Sequence, residues 1–188
     1  MKWLTRIVAL LVLAALLFLL LELPIFWQQI YPIKYQEFII QQAEATDLDP
    51  ALVAAVIKVE SNFRHDAISR ADARGLMQLR LPTAREVAEG MGHEVDAEVF
   101  ADQLFDPEYN ITLGTRYLAK MLVDFDGNEA MALVAYNAGP TKLRSWLDQG
   151  IWDGSWEKRE QIPYAETRNY LGKVQLAREK YAKLYKFD

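Results

Sequence analysis

Two Asp-Pro pairs, Asp49-Pro50 and Asp106-Pro107, do most to limit the folds open to this chain. Proline has a near-helical φ and no N–H, so it suits the first position of a helix, where no donor is needed. The aspartate before it can accept from the bare N–H groups of the first turn. Each pair therefore opens a helix, one over Pro50 to Glu60 and one from Pro107 to Phe125, with Gly127 after it. Asn128 caps a third helix, Glu129 to Asn137, which Gly139-Pro140 stops. Thr83-Ala-Arg-Glu86 reads as a capping box for a helix ending at Gly90. Tyr35 to Glu44 is a short amphipathic segment, and a long helix runs from about Pro163 to Lys186. Residues 61–75 are loop-like, and strand alternation is scarce. The expected class is all-α.

Composition narrows the chemistry. The chain has 188 residues and no cysteine, which excludes disulfides, thiolate catalysis and Cys-based zinc sites. Its net charge of −5 and the lack of a basic stripe argue against nucleic acid as a partner. The two histidines, His65 and His93, stand in no metal-ligand spacing, and no Gly-rich phosphate loop appears. No metal and no cofactor are expected.

The N-terminus carries an address. Lys2 and Arg6 precede the uncharged run Ile7 to Leu21, and Trp3, Phe26, Trp27 and Tyr31 bracket it as an interfacial belt would. Leu4 to Phe26 would extend about 35 Å as a helix, enough to span a bilayer with Glu22 near the far boundary. Positive charge before the span puts the N-terminus in the cytoplasm and the rest outside. A signal peptide removed on export is the alternative, although no small-x-small site follows the run. Either way residues 33–188 are expected to form one exported domain, with 1–32 as anchor and linker.

Glu60 is the candidate acid. Leu52, Val53, Val56 and Ile57 make one apolar stripe, and Glu60 falls on it, four residues after Val56 and three after Ile57. A carboxyl on a core-facing stripe loses water, which raises its pKa and lets it serve as a general acid near neutral pH. A last-turn glutamate can equally bend out to solvent. Three later segments place polar groups where a helical core needs none: Gly75-Leu76-Met77-Gln78-Leu79, Tyr136-Asn137-Ala138-Gly139-Pro140, and Glu166-Thr167-Arg168-Asn169-Tyr170.

With Ile57-Lys58-Val59-Glu60-Ser61-Asn62-Phe63, and in this order, these segments resemble the soluble lytic transglycosylase family, over roughly residues 33–185. The resemblance implies a goose-type lysozyme fold and cleavage of the β-1,4 bond between N-acetylmuramic acid and N-acetylglucosamine in peptidoglycan. It implies a 1,6-anhydro product and no attacking water. Glu60 matches the family's single catalytic acid, acting first as acid and then as base. Ser69, Gln78, Tyr136 and Glu166 match positions that line the glycan cleft. Ser61, Met77 and Asn137 belong to the matching motifs, and Tyr170 follows on the last helix. Tyr136 would orient Glu60 or steady developing positive charge. Trp146, Trp152 and Trp156 could stack on sugars, although such aromatics more often fill a core.

The chain also departs from the pattern. Arg80-Leu81-Pro82 stands where Met-Pro usually follows, so Arg80 replaces an apolar residue that faces the glycan and could meet an anionic group of the substrate. Asp72 stands where glycine is common. Asp66 and Asp72 remain open as a second carboxylate, which a hydrolytic lysozyme would need. A membrane-anchored module that binds glycan without cutting it is the rival from another class.

Overall fold

The computed structural model describes residues 2–96 and 99–187. Six side chains of the first helix, Ala9, Leu16, Leu17, Leu20, Leu21 and Glu22, lie outside the described residues, so the expected boundary position of Glu22 does too. That helix, α1, runs Lys2–Glu22, and the short α2, Pro24–Ile30, follows it. Among the described residues, no helix is long and apolar enough to cross a membrane.

The remaining elements surround α4, Pro50–Ser61. Asp49 caps it as expected, accepting from the Ala51 N–H at 2.8 Å. Ala51 through Ile57 are all buried, so the helix is apolar around its whole circumference rather than along one stripe. Against it lie α3, Gln36–Ala45, and α10, Ala165–Leu184. Arg178 of α10 donates to Asp49 at 2.6 Å and to both oxygens of Glu129 at 2.8 and 2.7 Å, tying three helices together. A further layer comprises α7, Pro107–Asp124, and α8, Glu129–Ala138, whose caps Asp106 and Asn128 accept from Tyr109 and Met131.

Three expectations need correction. First, α5 spans Leu81–Gly90, with Arg80 at its N-cap and no side-chain cap bond, so Thr83 lies inside the helix and makes no capping box. Pro82, in the first turn, sets the earlier start. Second, Gly139-Pro140 ends α8 and also starts α9, Pro140–Asp148, because a proline that stops one helix can occupy the first position of the next. The short α6, Phe100–Gln103, was likewise not expected. Third, the loop is not strand-free. β1, Ala73–Arg74, pairs antiparallel with β2, Leu79–Arg80, in the register Ala73↔Arg80 and Arg74↔Leu79.

The main core centres on α4, α8 and α10. A smaller one gathers Leu79, Ala84, Ala88, Phe100, Leu104 and Leu113 from β2 and helices α5 to α7. Tyr117 and Tyr136 pack against both, and the seam between the two cores is where a cleft opens. Trp146 and Trp152 are buried and leave no face for sugar stacking.

The segment joining α2 to the domain is held down. Tyr31 meets Tyr181 edge-on at 6.0 Å, and the Tyr181 and Tyr185 hydroxyls donate to the Pro32 and Tyr31 carbonyls at 2.8 Å each. Lys180 sits 3.5 Å above the Trp27 ring. Two of the expected belt aromatics are therefore engaged by α10, whereas Trp3 is exposed.

Candidate active site

Glu60 occupies the last turn of α4, and its charge acts on Tyr136, which packs against both cores. Helix α4 is buried all round, so only its end can meet the surface, and Glu60 is part-buried there. Burial pushes its carboxyl from an ordinary 4.5 up to about 8; the Tyr170 hydroxyl opposes the rise and the charge of Glu166 adds to it. The Tyr170 hydroxyl, buried on α10, makes no hydrogen bond of ordinary geometry, yet it lies near enough to Glu60 to favour the carboxylate. The Tyr136 and Tyr170 phenols are pushed far above 10, by burial first and by Glu60 next. Both therefore remain neutral donors at physiological pH.

Tyr136 does not spend its hydroxyl on Glu60. It donates to the Met77 carbonyl at 2.8 Å, and its ring packs 5.2 Å from Tyr117. It thus fixes the Gly75–Leu79 turn against α8. Met77 is wholly buried, so it supports the cleft from within rather than facing a ligand. Gln78 adopts φ +49, and its amide nitrogen donates to the Ala67 and Gly75 carbonyls at 3.1 and 2.9 Å. Its oxygen has no partner among the described residues, and Gln78 lines the cleft.

The cleft, of about 180 Å³, is bounded by Gln78, Arg80, Thr83, Tyr117, Tyr136 and Asn137 along with Leu79 and Ala138 to Pro140. Asn137 accepts from the Thr167 hydroxyl at 2.9 Å, which joins the end of α8 to α10. Glu166 is exposed in the first turn of α10, and its charge reaches Glu60. Two expected contacts are placed elsewhere. Ser61 is buried and donates back to the Ile57 carbonyl at 3.2 Å. Ser69 accepts from the Ala71 and Ala73 N–H groups at 3.2 and 3.0 Å, closing a turn. Short hydroxyl side chains find local backbone partners readily, which accounts for both. Asp66 is exposed, and Asp72, at φ +58, pairs with Arg74 at 3.1 Å. Among the described residues, no group of three or more Asp, Glu or His is placed to hold a metal.

Two residues of the site carry no local sequence signal. Tyr117 lines the cleft from α7. Asn110, fully buried on α7, accepts from the Met77 N–H at 2.7 Å and donates to the Arg74 and Leu104 carbonyls at 3.0 and 2.8 Å.

The sequence profile described as Transglycosylase SLT domain matches residues 37–158. The chain belongs to this family. This SLT-domain chain is 31% identical over 150 residues to the soluble lytic murein transglycosylase of Salmonella typhimurium, a match covering 77% of the chain and 22% of that protein. It is 32% identical over 173 residues to the membrane-bound lytic murein transglycosylase C of Photorhabdus laumondii, covering 79% of the chain and 46% of that protein. The structure superposes with a TM-score of 0.72 at 33% identity on an inactive Glu-to-Gln mutant of lytic transglycosylase Slt from Pseudomonas aeruginosa, over 82% of this chain and 25% of that one. The chain thus spans between about a fifth and a half of the length of these curated relatives. The fold is the mostly helical, lysozyme-like one of SLT domains.

Proposed function

We propose that this chain is a peptidoglycan lytic transglycosylase that cuts the β-1,4 bond after N-acetylmuramic acid and leaves a 1,6-anhydro end. The observation that carries the proposal is Glu60, whose carboxyl keeps its proton to about pH 8 and whose charge acts on Tyr136, a residue lining a polar cleft. A protonated carboxyl can donate to the glycosidic oxygen as the bond to C1 breaks. The carboxylate left behind then takes the proton of the C6 hydroxyl as that oxygen closes on C1. The same residue ends the cycle protonated, so the reaction consumes no water. Gln78, Tyr136, Asn137 and Glu166 shape or border the site, and Tyr170 faces the acid.

The deciding experiment is mass spectrometry of peptidoglycan digested by the chain and by its Glu60→Gln variant. Muropeptides one water lighter than hydrolytic products are expected, and the variant should make none at a measurable rate. Reducing muramic acid ends would instead favour a hydrolytic reading, in which Glu166 serves as the second carboxylate. That reading draws on the one acidic neighbour whose charge reaches Glu60.

We also infer that α1 is a membrane anchor, with the N-terminus cytoplasmic and the SLT domain outside. The support is the uncharged run Ile7 to Leu21, the preceding Lys2 and Arg6, and apolar side chains such as Leu10, Leu11 and Phe18 that point away from the protein. Peptidoglycan lies on that side of the membrane, so the proposed address and the proposed substrate agree.

A further inference from the structure

We propose that Arg80 makes the rim of the cleft a carboxylate-binding subsite, so that the domain reads anionic groups carried by the glycan as well as the sugar chain. The inference rests on the reading of the cleft as a peptidoglycan site. Among the residues bounding the cleft, Arg80 alone is charged. It is exposed and makes no ion pair among the described residues. Its backbone is fixed twice, by pairing with Ala73 in the hairpin and by standing at the N-cap of α5. Its guanidinium makes no hydrogen bond or ion pair among the described residues and is open to a planar acceptor, and a carboxylate accepts both prongs.

The neighbours agree with this chemistry. The Thr83 hydroxyl makes no hydrogen bond among the described residues, and the Asn137 side chain bonds only through its oxygen, to Thr167. Its amide N–H groups and the Thr83 hydroxyl therefore border the cleft as open donors beside the cation. No acidic residue is among those bounding the cleft, although the charges of Glu60 and Glu86 reach its Tyr136 and Tyr117. The carboxylate could come from the lactyl group of muramic acid or from a stem peptide. The chemistry of recognition is the same, and the probes below separate the sources.

The test measures binding by the full chain in detergent, in a Glu60→Gln background so that nothing is cut. Three probes are used: glycan strands with stem peptides, strands stripped by an amidase to free the lactyl carboxylate, and β-1,4-N-acetylglucosamine oligomers. Arg80→Met should weaken binding of at least one carboxylate-bearing probe about tenfold, the scale of a charge-assisted hydrogen bond. The oligomers should change less than about twofold, and Arg80→Lys should recover only part of the affinity, because an ammonium keeps the charge but cannot form the paired hydrogen bonds of the guanidinium fork. Whichever strand loses affinity identifies the source. Equal weakening of all three probes, or of none, overturns the subsite while leaving the substrate reading intact. Failure of the Arg80-containing chain to bind any strand overturns the substrate reading itself.

Discussion

Glu60 joins function to a cost in stability. In the unfolded chain its carboxyl ionises near 4.5, whereas in the folded protein it holds its proton to about 8. Stability from this group is therefore fully present below pH 4.5 and is lost as pH rises toward 8, because the unfolded state ionises freely while the folded one resists. At pH 7 the difference is on the order of 3 kcal/mol. Glu60→Gln should accordingly raise the melting temperature by several degrees at pH 7 to 8 and by almost nothing at pH 4, as scanning calorimetry across that range would register. The same substitution should abolish formation of anhydro products. In the wild type, kcat/KM should fall as pH rises through about 8, since the first proton transfer needs the protonated acid. A flat profile from pH 6 to 9.5 would remove Glu60 from that role.

At the scale of elements, the segment from β1 to α5 decides where Gln78 and Arg80 stand, and Asn110 holds it. Asn110→Ala would leave the buried Met77 N–H and Leu104 carbonyl and the part-buried Arg74 carbonyl without their partner, a loss of roughly 3 kcal/mol. Gly75→Ala should be comparably damaging. Gly75 sits at φ +77, and an added Cβ would lie 2.2 Å from both the Asn110 amide and the Leu104 carbonyl. Both variants should lower the melting temperature and the turnover together. Gly90→Ala meets nothing within 4 Å, so it should leave the melting temperature unchanged or slightly higher and makes a suitable control. Which of these elements the sequence discloses follows from where each bond is made. Asp49, Asp106 and Asn128 cap with their own side chains, so their helices could be read from adjacent residues. Helix α5 starts after an arginine whose side chain caps nothing, and Thr83 drew the reading three residues late. Asn110 and Tyr117 act across 33 and 19 positions, on Met77 and Tyr136 respectively, and no local pattern records such contacts. Ser61 and Ser69 show the converse. Their motif positions suggested a ligand, while their hydroxyls were already bound to backbone.

At the scale of the whole molecule, the join between α1 and the domain separates two roles. Trp3, Leu4, Leu10, Leu11, Phe18 and Leu19 of α1 are each more than half exposed, an arrangement that costs free energy in water and little in lipid. Residues from Trp27 to Ile33 behave differently, because they are bound to the domain. Tyr31 and Pro32 receive the Tyr185 and Tyr181 hydroxyls, and the Ile30 carbonyl accepts from Lys58 at 2.5 Å. A cut before Leu23 and a cut before Lys34 should therefore differ. The chain starting at Leu23 should leave the membrane fraction, need no detergent, and keep the melting temperature and product pattern of the full chain. The chain starting at Lys34 should also be released, but it lacks the carbonyls that satisfy Lys58, Tyr181 and Tyr185 and the ring that packs on Tyr181. Each lost bond is worth about 1 kcal/mol, so its melting temperature should fall by several degrees. Sedimentation of membranes after alkaline washing, followed by thermal melts of both fragments, measures the two effects separately. A full chain found in the wash would remove the anchor, and equal melting of the two fragments would remove the clamp.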